Sequence, residues 1–282
     1  RFVLHKLSAK QLTDQREAAF ARSPQLEKAW FGELAEAEGS QAFLNATQNY
    51  PQLVGQKANL YKCFLPRAWA NANEQGVSGF LHPEGIYDDP KGGGFRRELY
   101  PRLRRHYQFT NVRLLFAEIM IWVKFSVNIY GPNRALPRFD SISNVFDPST
   151  VDACYHSDGI GPVPGIKSGI GEDDSSKGSW ELAGHRDRII EIGQHELALF
   201  AQLYDETGAD ALEARLPALH ARQLTNVLEK FATQPEKVDQ IPHEEYLVSY
   251  LFDETAAQKD GAIKRLTRFP ESSSVSVISG PH

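Results

Sequence analysis

The run from Asn59 to Gly131 restricts what this chain can fold into more than any other part of it. It opens with Asn59-Leu60-Tyr61-Lys62-Cys63-Phe64-Leu65 and passes through Gly76-Val77-Ser78-Gly79-Phe80-Leu81-His82-Pro83. It closes with Lys124-Phe125-Ser126-Val127-Asn128-Ile129-Tyr130-Gly131. A helix, a glycine, a short apolar strand stopped by proline, a basic helix and two further strands follow in that order. Such an order predicts the second half of an α/β domain of the kind that binds nucleotide cofactors. The first half, with its cofactor loop, is not in the sequence.

Within this run the spacing predicts a helix from Asn59 to about Asn73 with Leu60, Phe64, Leu65, Ala68 and Trp69 inward. Pro66 is awkward there, because it removes an amide donor from the helix. The continuous apolar character of Val77–Leu81 suits a buried parallel strand. Asp88–Gly94 reads as a flexible loop, Phe95–Arg105 as a basic helix, and Tyr107–Phe116 and Phe125–Tyr130 as strands.

The flanks differ in texture. Residues 9–38 read as helical, with Ser23-Pro24 as cap and first turn and Leu26, Trp30, Phe31 and Leu34 at helical spacing; Gly39-Ser40 should end that helix. Residues 132–184 are rich in Pro, Gly, Ser and Asp and read as loops, notably Gly159–Gly165 and Gly169–Gly178. Arg188–Tyr204 and Asp210–Phe231 show amphipathic helical spacing, the latter interrupted by Pro217. The expected organisation is therefore a helical connector over 1–56, an α/β half-core over 57–131, a loop-rich linker over 132–184 and a helical region over 185–282 that starts a further domain.

The chain has 282 residues, 41% hydrophobic and 24% charged, the composition of a globular protein with ample core. No apolar run approaches the ~18 residues of a membrane span, so no membrane partner is expected. The sequence starts at Arg1 without methionine, and the apolar run Val275–Ile278 stops at a turn. Both features suggest a piece of a longer chain. Cys63 and Cys154 stand alone, which predicts buried reduced thiols and a cytoplasmic location.

Net charge is −5, yet ten Lys/Arg between Lys91 and Arg138 face only Glu98 and Glu118. That local excess of eight positive charges fits either a phosphate-binding face or a solvated surface with Arg stems on apolar neighbours.

Several motifs fail. His185-Arg186-Asp187 matches a kinase catalytic loop only in three residues, since Ile192 stands where the asparagine should follow; a capped helix start explains it better. Gly92-Gly93-Gly94 lacks the completion of a phosphate loop. His195-Glu196 has no second histidine, and Cys154-Tyr155-His156 is too sparse for a metal. No metal site is expected.

The ordered set in Asn59–Gly131 resembles the amino-group DNA methyltransferases that use S-adenosylmethionine, of the gamma-type motif order. It is most similar to large adenine-specific methylases of restriction-modification and related phage-defence systems. Asn59-Leu60-Tyr61, Phe64 and Leu65 match the family's N-L-Y-x-x-F-L helix. Gly76–Pro83 matches its strand ending in proline, and Leu115-Phe116 with Lys124–Gly131 matches its later strand pair. His185–Glu191 and Gln258–Gly261 belong to a looser likeness that carries no chemistry. The specific motifs span about a quarter of the chain.

The resemblance implies the C-terminal half of a Rossmann-like methyltransferase sheet, with helical insertions and a mixed, loop-rich downstream region. It implies S-adenosylmethionine as cofactor, double-stranded DNA as partner, a missing N-terminal half of the same chain, and defence-system proteins as possible associates. Such enzymes flip the target adenine out of the duplex to reach its amino group. Phe116 and Pro83 would line the target-base pocket. Phe64, Asn59 and Tyr61 would serve the cofactor side, and Arg96, Arg97, Arg102, Arg104 and Arg105 would touch the DNA backbone. His82 and Glu84 stand beside Pro83 as candidate polar lining. By pattern alone, Phe116 is equally a core residue at a strand end, and Phe64 a helix residue facing the sheet.

No N-P-P-[YFW] motif and no glycine-rich cofactor loop occur, so no catalytic residue is assigned within this chain. Adenine-N6 methylation is thus expected of a longer parent. A non-catalytic nucleic-acid-binding or scaffold module on a degenerate methylase fold is the alternative. This half of the fold also leaves RNA or protein open as substrate.

Overall fold

A computed structural model of the chain describes residues 7–56, 59–168, 178–234, 257 and 260–262. The chain divides into two units, 1–233 and 234–282. In the second, residues 234, 257 and 260–262 alone are described, and the expectations for Gln258-Lys259 and Val275–Ile278 lie outside the described residues. The architecture below is that of the first unit.

Helices α1 (Ala9–Arg22) and α2 (Pro24–Asn45) come first. The Ser8 hydroxyl and the Gln11 side chain cap α1 reciprocally. Pro24 starts α2 in the first-turn position, where its missing N–H costs nothing. Gly39-Ser40 does not end that helix, which runs on to Asn45. Neither helix buries a residue, and Leu26, Trp30, Phe31, Leu34 and Phe43 stay exposed. The apolar stripe therefore does not enter the core; Phe20 meets Trp30 and Phe31 at ring distances of 6.2 and 6.4 Å.

Next come α3 (Leu60–Asn71), β1 (Ser78–Pro83), a four-residue helix α4 (Gly85–Asp88), and α5 (Gly93–Leu99). Asn59 caps α3, its Oδ1 accepting from the Tyr61 amide, and Pro66 lies inside the helix. Lys62 is buried and spans from α3 to Gln56 and Asp89, with Nζ 3.2 Å from the Asp89 carboxylate. Asp88–Gly94 is built of short helical turns rather than a flexible loop. The basic helix is shorter than its composition predicts. It ends at Leu99, because Pro101 follows two residues later and cannot donate to a further turn.

Arg104 and Arg105 consequently lie on β2 (Leu103–Thr110), which is followed by β3 (Lys124–Tyr130), β4 (Arg138–Val145) and α6 (Ser149–His156). The remaining elements are a two-stranded ribbon, β5 (Lys167–Ser168) and β6 (Ser179–Trp180), then β7 (Ile190–Gly193), α7 (Gln194–Tyr204) and α8 (Gln223–Ala232). Most of Gly169–Gly178 lies outside the described residues.

The chain is a mixed α/β protein with a mixed five-stranded sheet of order β1-β3-β2-β4-β7. β3 runs antiparallel between β1 and β2, which are therefore parallel to each other; β4 is parallel to β2, and β7 antiparallel to β4. β1 is an edge strand with alternating exposure, not the doubly buried strand that its apolar run suggests. Two strands sit where the sequence pattern pointed elsewhere. β4 lies inside the stretch expected to be loops, and β7 takes Ile190–Gly193 from the expected helix. Asp210–Phe231 is helical only at a short 3-10 turn and at α8.

One face of the sheet carries the larger core, where Leu65, Tyr87, Phe95, Leu99, Tyr100, Tyr130, Phe139, Leu197 and Phe200 pack. The other carries a smaller cluster of Phe109, Phe125, Ile142, Val145 and Cys154. Gly184 lets the following chain press onto α6: a Cβ there would lie 2.3 Å from the Ala153 and Cys154 backbone. Cys63 and Cys154 are both free and buried.

Candidate functional site

Strand alternation decides the chemistry of each face. On β3, Ser126, Asn128 and Tyr130 point one way and Phe125, Val127 and Ile129 the other. His82 of β1 and Gln108 of β2 both pair with Ser126, while Phe80 and His106 pair with Asn128 and Ser141 of β4 pairs with His106. The face beneath α3 and α4 is thus polar at its centre, with His82, His106, Gln108, Ser126, Asn128 and Ser141 all buried.

Glu84 follows the last residue of β1 and reaches back over this face. Its Oε1 lies 3.2 Å from His106 Nε2, and its Oε2 accepts from Gln108 Nε2 at 2.8 Å. Burial pushes the Glu84 carboxyl up, but the His106 charge and hydrogen bonds from His106, Ser126 and Gln108 outweigh it, leaving the pKa at about 2. The His106 Nδ1 meets the Ser141 hydroxyl at 2.9 Å.

His82 anchors a second set. Its Nδ1 donates to the Pro83 carbonyl at 2.9 Å, so Nε2 is free to accept from the Tyr130 hydroxyl and from Asn128 Nδ2, both at 2.9 Å. Burial holds the His82 pKa below its ordinary value, which matches that neutral tautomer. Tyr87 donates to Asn128 Oδ1 at 2.6 Å. Tyr61 from α3 stacks on the His82 ring at 5.6 Å, and burial with nearby Asp89 and Glu84 pushes its pKa up to about 12. The network is nearly complete; Gln108 Oε1 is a buried acceptor without a partner. Its groups bond each other, so it fixes the ends of β1, β2 and β3.

The opposite face opens at the same end of the strands. Phe125 pairs across the sheet with Pro83 on one side and Phe109 on the other, stacking on Phe109 at 5.4 Å. Phe116 meets Phe125 edge to face at 5.1 Å. It lies on the loop after β2, beyond the strand that the sequence pattern extends to it. Asn111 fixes this loop: its side chain accepts from the Phe116 amide and donates to the Phe116 and Ile119 carbonyls. Leu114, with φ at +55°, makes the turn. Phe116 remains 37% exposed, and Met120 and Trp122 beyond it are exposed more fully.

The structure thus brings Pro83 and Phe116 to one aromatic rim around Phe125. It does not bring Phe64 to the polar face. Phe64 and Leu60, four residues apart, share the outer side of α3 and are more than half exposed, whereas Leu65 turns inward. Asn59 caps the helix and Tyr61 joins the His82 stack.

The five arginines also separate. Arg96 is buried, its Nε and Nη1 donating to the carbonyls of Glu213, Ile86 and Asp89, so it ties helical turns together. Arg97 pairs with Asp210 and Glu213, and Arg102 pairs with Glu98 while lying over Trp69. Arg104 and Arg105 lie at the opposite end of β2 from Phe116. His185 caps the short 3-10 turn that follows it, accepting from the Asp187 amide, as the capped-start reading expects.

Among the described residues, no three His, Cys, Asp or Glu side chains come together to hold a metal. No helix among them is long and apolar enough to cross a membrane. The Glu84–His106–Gln108 set was within reach of the sequence: His106 and Gln108, and Ser126 and Asn128, are polar pairs two residues apart in adjacent apolar strands.

The chain matches no protein-family model, and no curated protein sequence is significantly similar to it.

Proposed function

We propose that the chain forms the target-base side of an S-adenosylmethionine-dependent DNA adenine-N6 methyltransferase. The observation that carries this reading is the rim at the carboxyl ends of β1 and β2, where Pro83, Phe125 and the half-open ring of Phe116 meet. In open α/β sheets, ligands approach at the carboxyl ends of the parallel strands. An exposed aromatic edge there suits stacking on an extruded base, which offsets the cost of flipping.

Three further features support the reading. The strand expected before the later pair, β1, ends at its proline, and β3 returns antiparallel between β1 and β2. β1 has one edge without a strand among the described residues, and Val77, Leu81, Leu60 and Phe64 are exposed on and near it. In this reading, the cofactor-binding half of a longer Rossmann-like sheet would cover that edge, and Phe64 would face the S-adenosylmethionine it holds. The nearly complete network under His82 and Glu84 supplies the rigid floor that a base pocket needs. Methyl transfer itself would rely on residues of the other half; the part of this chain is to stack and orient the base.

The test is incubation of the full-length parent with labelled S-adenosylmethionine and unmethylated genomic DNA, followed by nucleoside analysis. Label in N6-methyladenine is the expected result. A parent that binds DNA yet neither binds S-adenosylmethionine nor transfers methyl would instead be the non-catalytic scaffold.

A further inference from the structure

At the amino ends of β2 and β4, on the face that carries α6, an open cleft of about 590 Å³ is lined by Arg104, Arg105, Arg134 and Arg138 with Asp140 and Glu191. Both carboxylates are already engaged. Arg105 holds Asp140 at 2.8 Å and lies over Tyr155, and Arg138 holds Glu191 at 2.8 Å. Arg104 and Arg134 have no carboxylate partner among the described residues. Arg104 donates to the carbonyls of Pro101, Leu103 and Pro132. The Arg134 side chain makes a long 3.4 Å bond to the Arg138 carbonyl and is exposed.

These two guanidinium groups, each without a carboxylate partner among the described residues, also act on each other. Burial lowers the Arg104 pKa, and the charge of Arg134 lowers it further. Two like charges held beside one cleft whose carboxylates are already engaged by Arg105 and Arg138 repel each other, and an anion entering it relieves that repulsion. The backbone is shaped for the arrangement. Gly131 lies under the Arg104 guanidinium, and a Cβ there would meet its nitrogens at 3.0 and 3.1 Å. Guanidinium forks match phosphate oxygens in pairs, which ammonium groups do not.

We propose that this cleft binds a phosphate group through Arg104 and Arg134, with Arg105 and Arg138 at its sides. Arg105 at the cleft and Phe109 at the Phe116 rim are four residues apart on β2, so at ~3.3 Å per residue the cleft stands roughly 13 Å along the strand from that rim. It is therefore a second site, and it does not depend on the methyltransferase reading. The phosphate belongs either to a nucleic-acid backbone or to a free polyphosphate.

The two sources separate by titrating the whole chain with inorganic pyrophosphate by calorimetry and with a fluorescent 24-base-pair duplex by anisotropy. Arg134→Ala, whose side chain supports no core contact, should weaken pyrophosphate binding at least fivefold. If the natural source is a nucleic-acid backbone, duplex affinity should fall as well, and the slope of log K against log salt should become shallower by about one. Weakened pyrophosphate binding with unchanged duplex binding assigns the cleft to a free anion. Arg22→Ala, a charge change far along the sequence on α1, should leave both titrations unchanged. The proposal is overturned if the wild-type chain binds neither probe. It is equally overturned if Arg134→Ala and the Arg134→Ala/Arg138→Ala double variant bind both as wild type does.

Discussion

Beneath α3 and α4 the sheet buries His82, His106, Gln108, Ser126, Asn128 and Ser141, whereas beneath α6 it buries Phe109, Phe125, Ile142 and Val145. The three central strands contribute to both faces, one residue out of phase, and the edge strand β1 adds His82 to the polar one. The polar face is closed by helices, and nearly all of its donors and acceptors meet each other. The apolar face packs against Cys154, Val151 and Tyr155 of α6, but at the carboxyl ends of β1 and β2 it ends in the part-exposed ring of Phe116. The difference teaches where a ligand has room. Buried polarity here acts as reinforcement, and the accessible surface at the carboxyl ends of β1 and β2 is aromatic.

That contrast breaks first at the apolar face. Phe109→Ala removes the ring stacked on Phe125 and should lower unfolding free energy by about 3–5 kcal/mol, read as a lower urea midpoint. A smaller loss would mean that the apolar cluster is loosely packed.

The polar face should respond to acid. The Glu84 pKa lies at about 2 in the folded chain against an ordinary 4.5. A depressed carboxylate contributes its full stability above the unfolded value and loses it as pH falls through the folded one. Stability should therefore decline between pH about 4.5 and about 2 by on the order of 3 kcal/mol from this group. Chemical denaturation across that range checks it, and Glu84→Gln should abolish this component of the decline. At pH 7 the same variant should cost about 2 kcal/mol, since His106 and Gln108 lose a charged acceptor. Full stability in Glu84→Gln would show that the network is dispensable.

The smallest expected effect sharpens the comparison most. Phe116→Ala should cost about 1 kcal/mol or less in thermal unfolding, because much of the ring is already in water. A loss as large as that of Phe109→Ala would make Phe116 an ordinary core residue.

The polar face also explains what the sequence hid. β4 reads as loop because Ser141 and Ser143 take inward positions where a strand usually shows apolar residues. β7 reads as helix because Ile189, Ile190 and Ile192 fit both periods in so short a run. Phe95–Arg105 looks like one basic helix until Pro101 is given its weight, and the charge excess then divides between a buried tie at Arg96 and a cleft at Arg104. The helix start near Asn59, the strand stop at Pro83, the Ser23-Pro24 helix start and the strand Phe125–Tyr130 were legible because each depends on local backbone chemistry. The meeting of Pro83 and Phe116 was implied by the resemblance alone, and the place of Phe125 between them was not legible. Cross-strand register and the Asn111 clamp create it, and neither leaves a periodic trace.

The most direct measurement of the central claim is the single-turnover rate of methyl transfer to adenine by the full-length parent, with and without Phe116→Ala. Base stacking on an aromatic side chain contributes ~1–3 kcal/mol. The rate should therefore fall about tenfold or more while the melting temperature stays within a few degrees of wild type. An unchanged rate in the folded variant would contradict the account, because the aromatic rim would then have no part in holding the base.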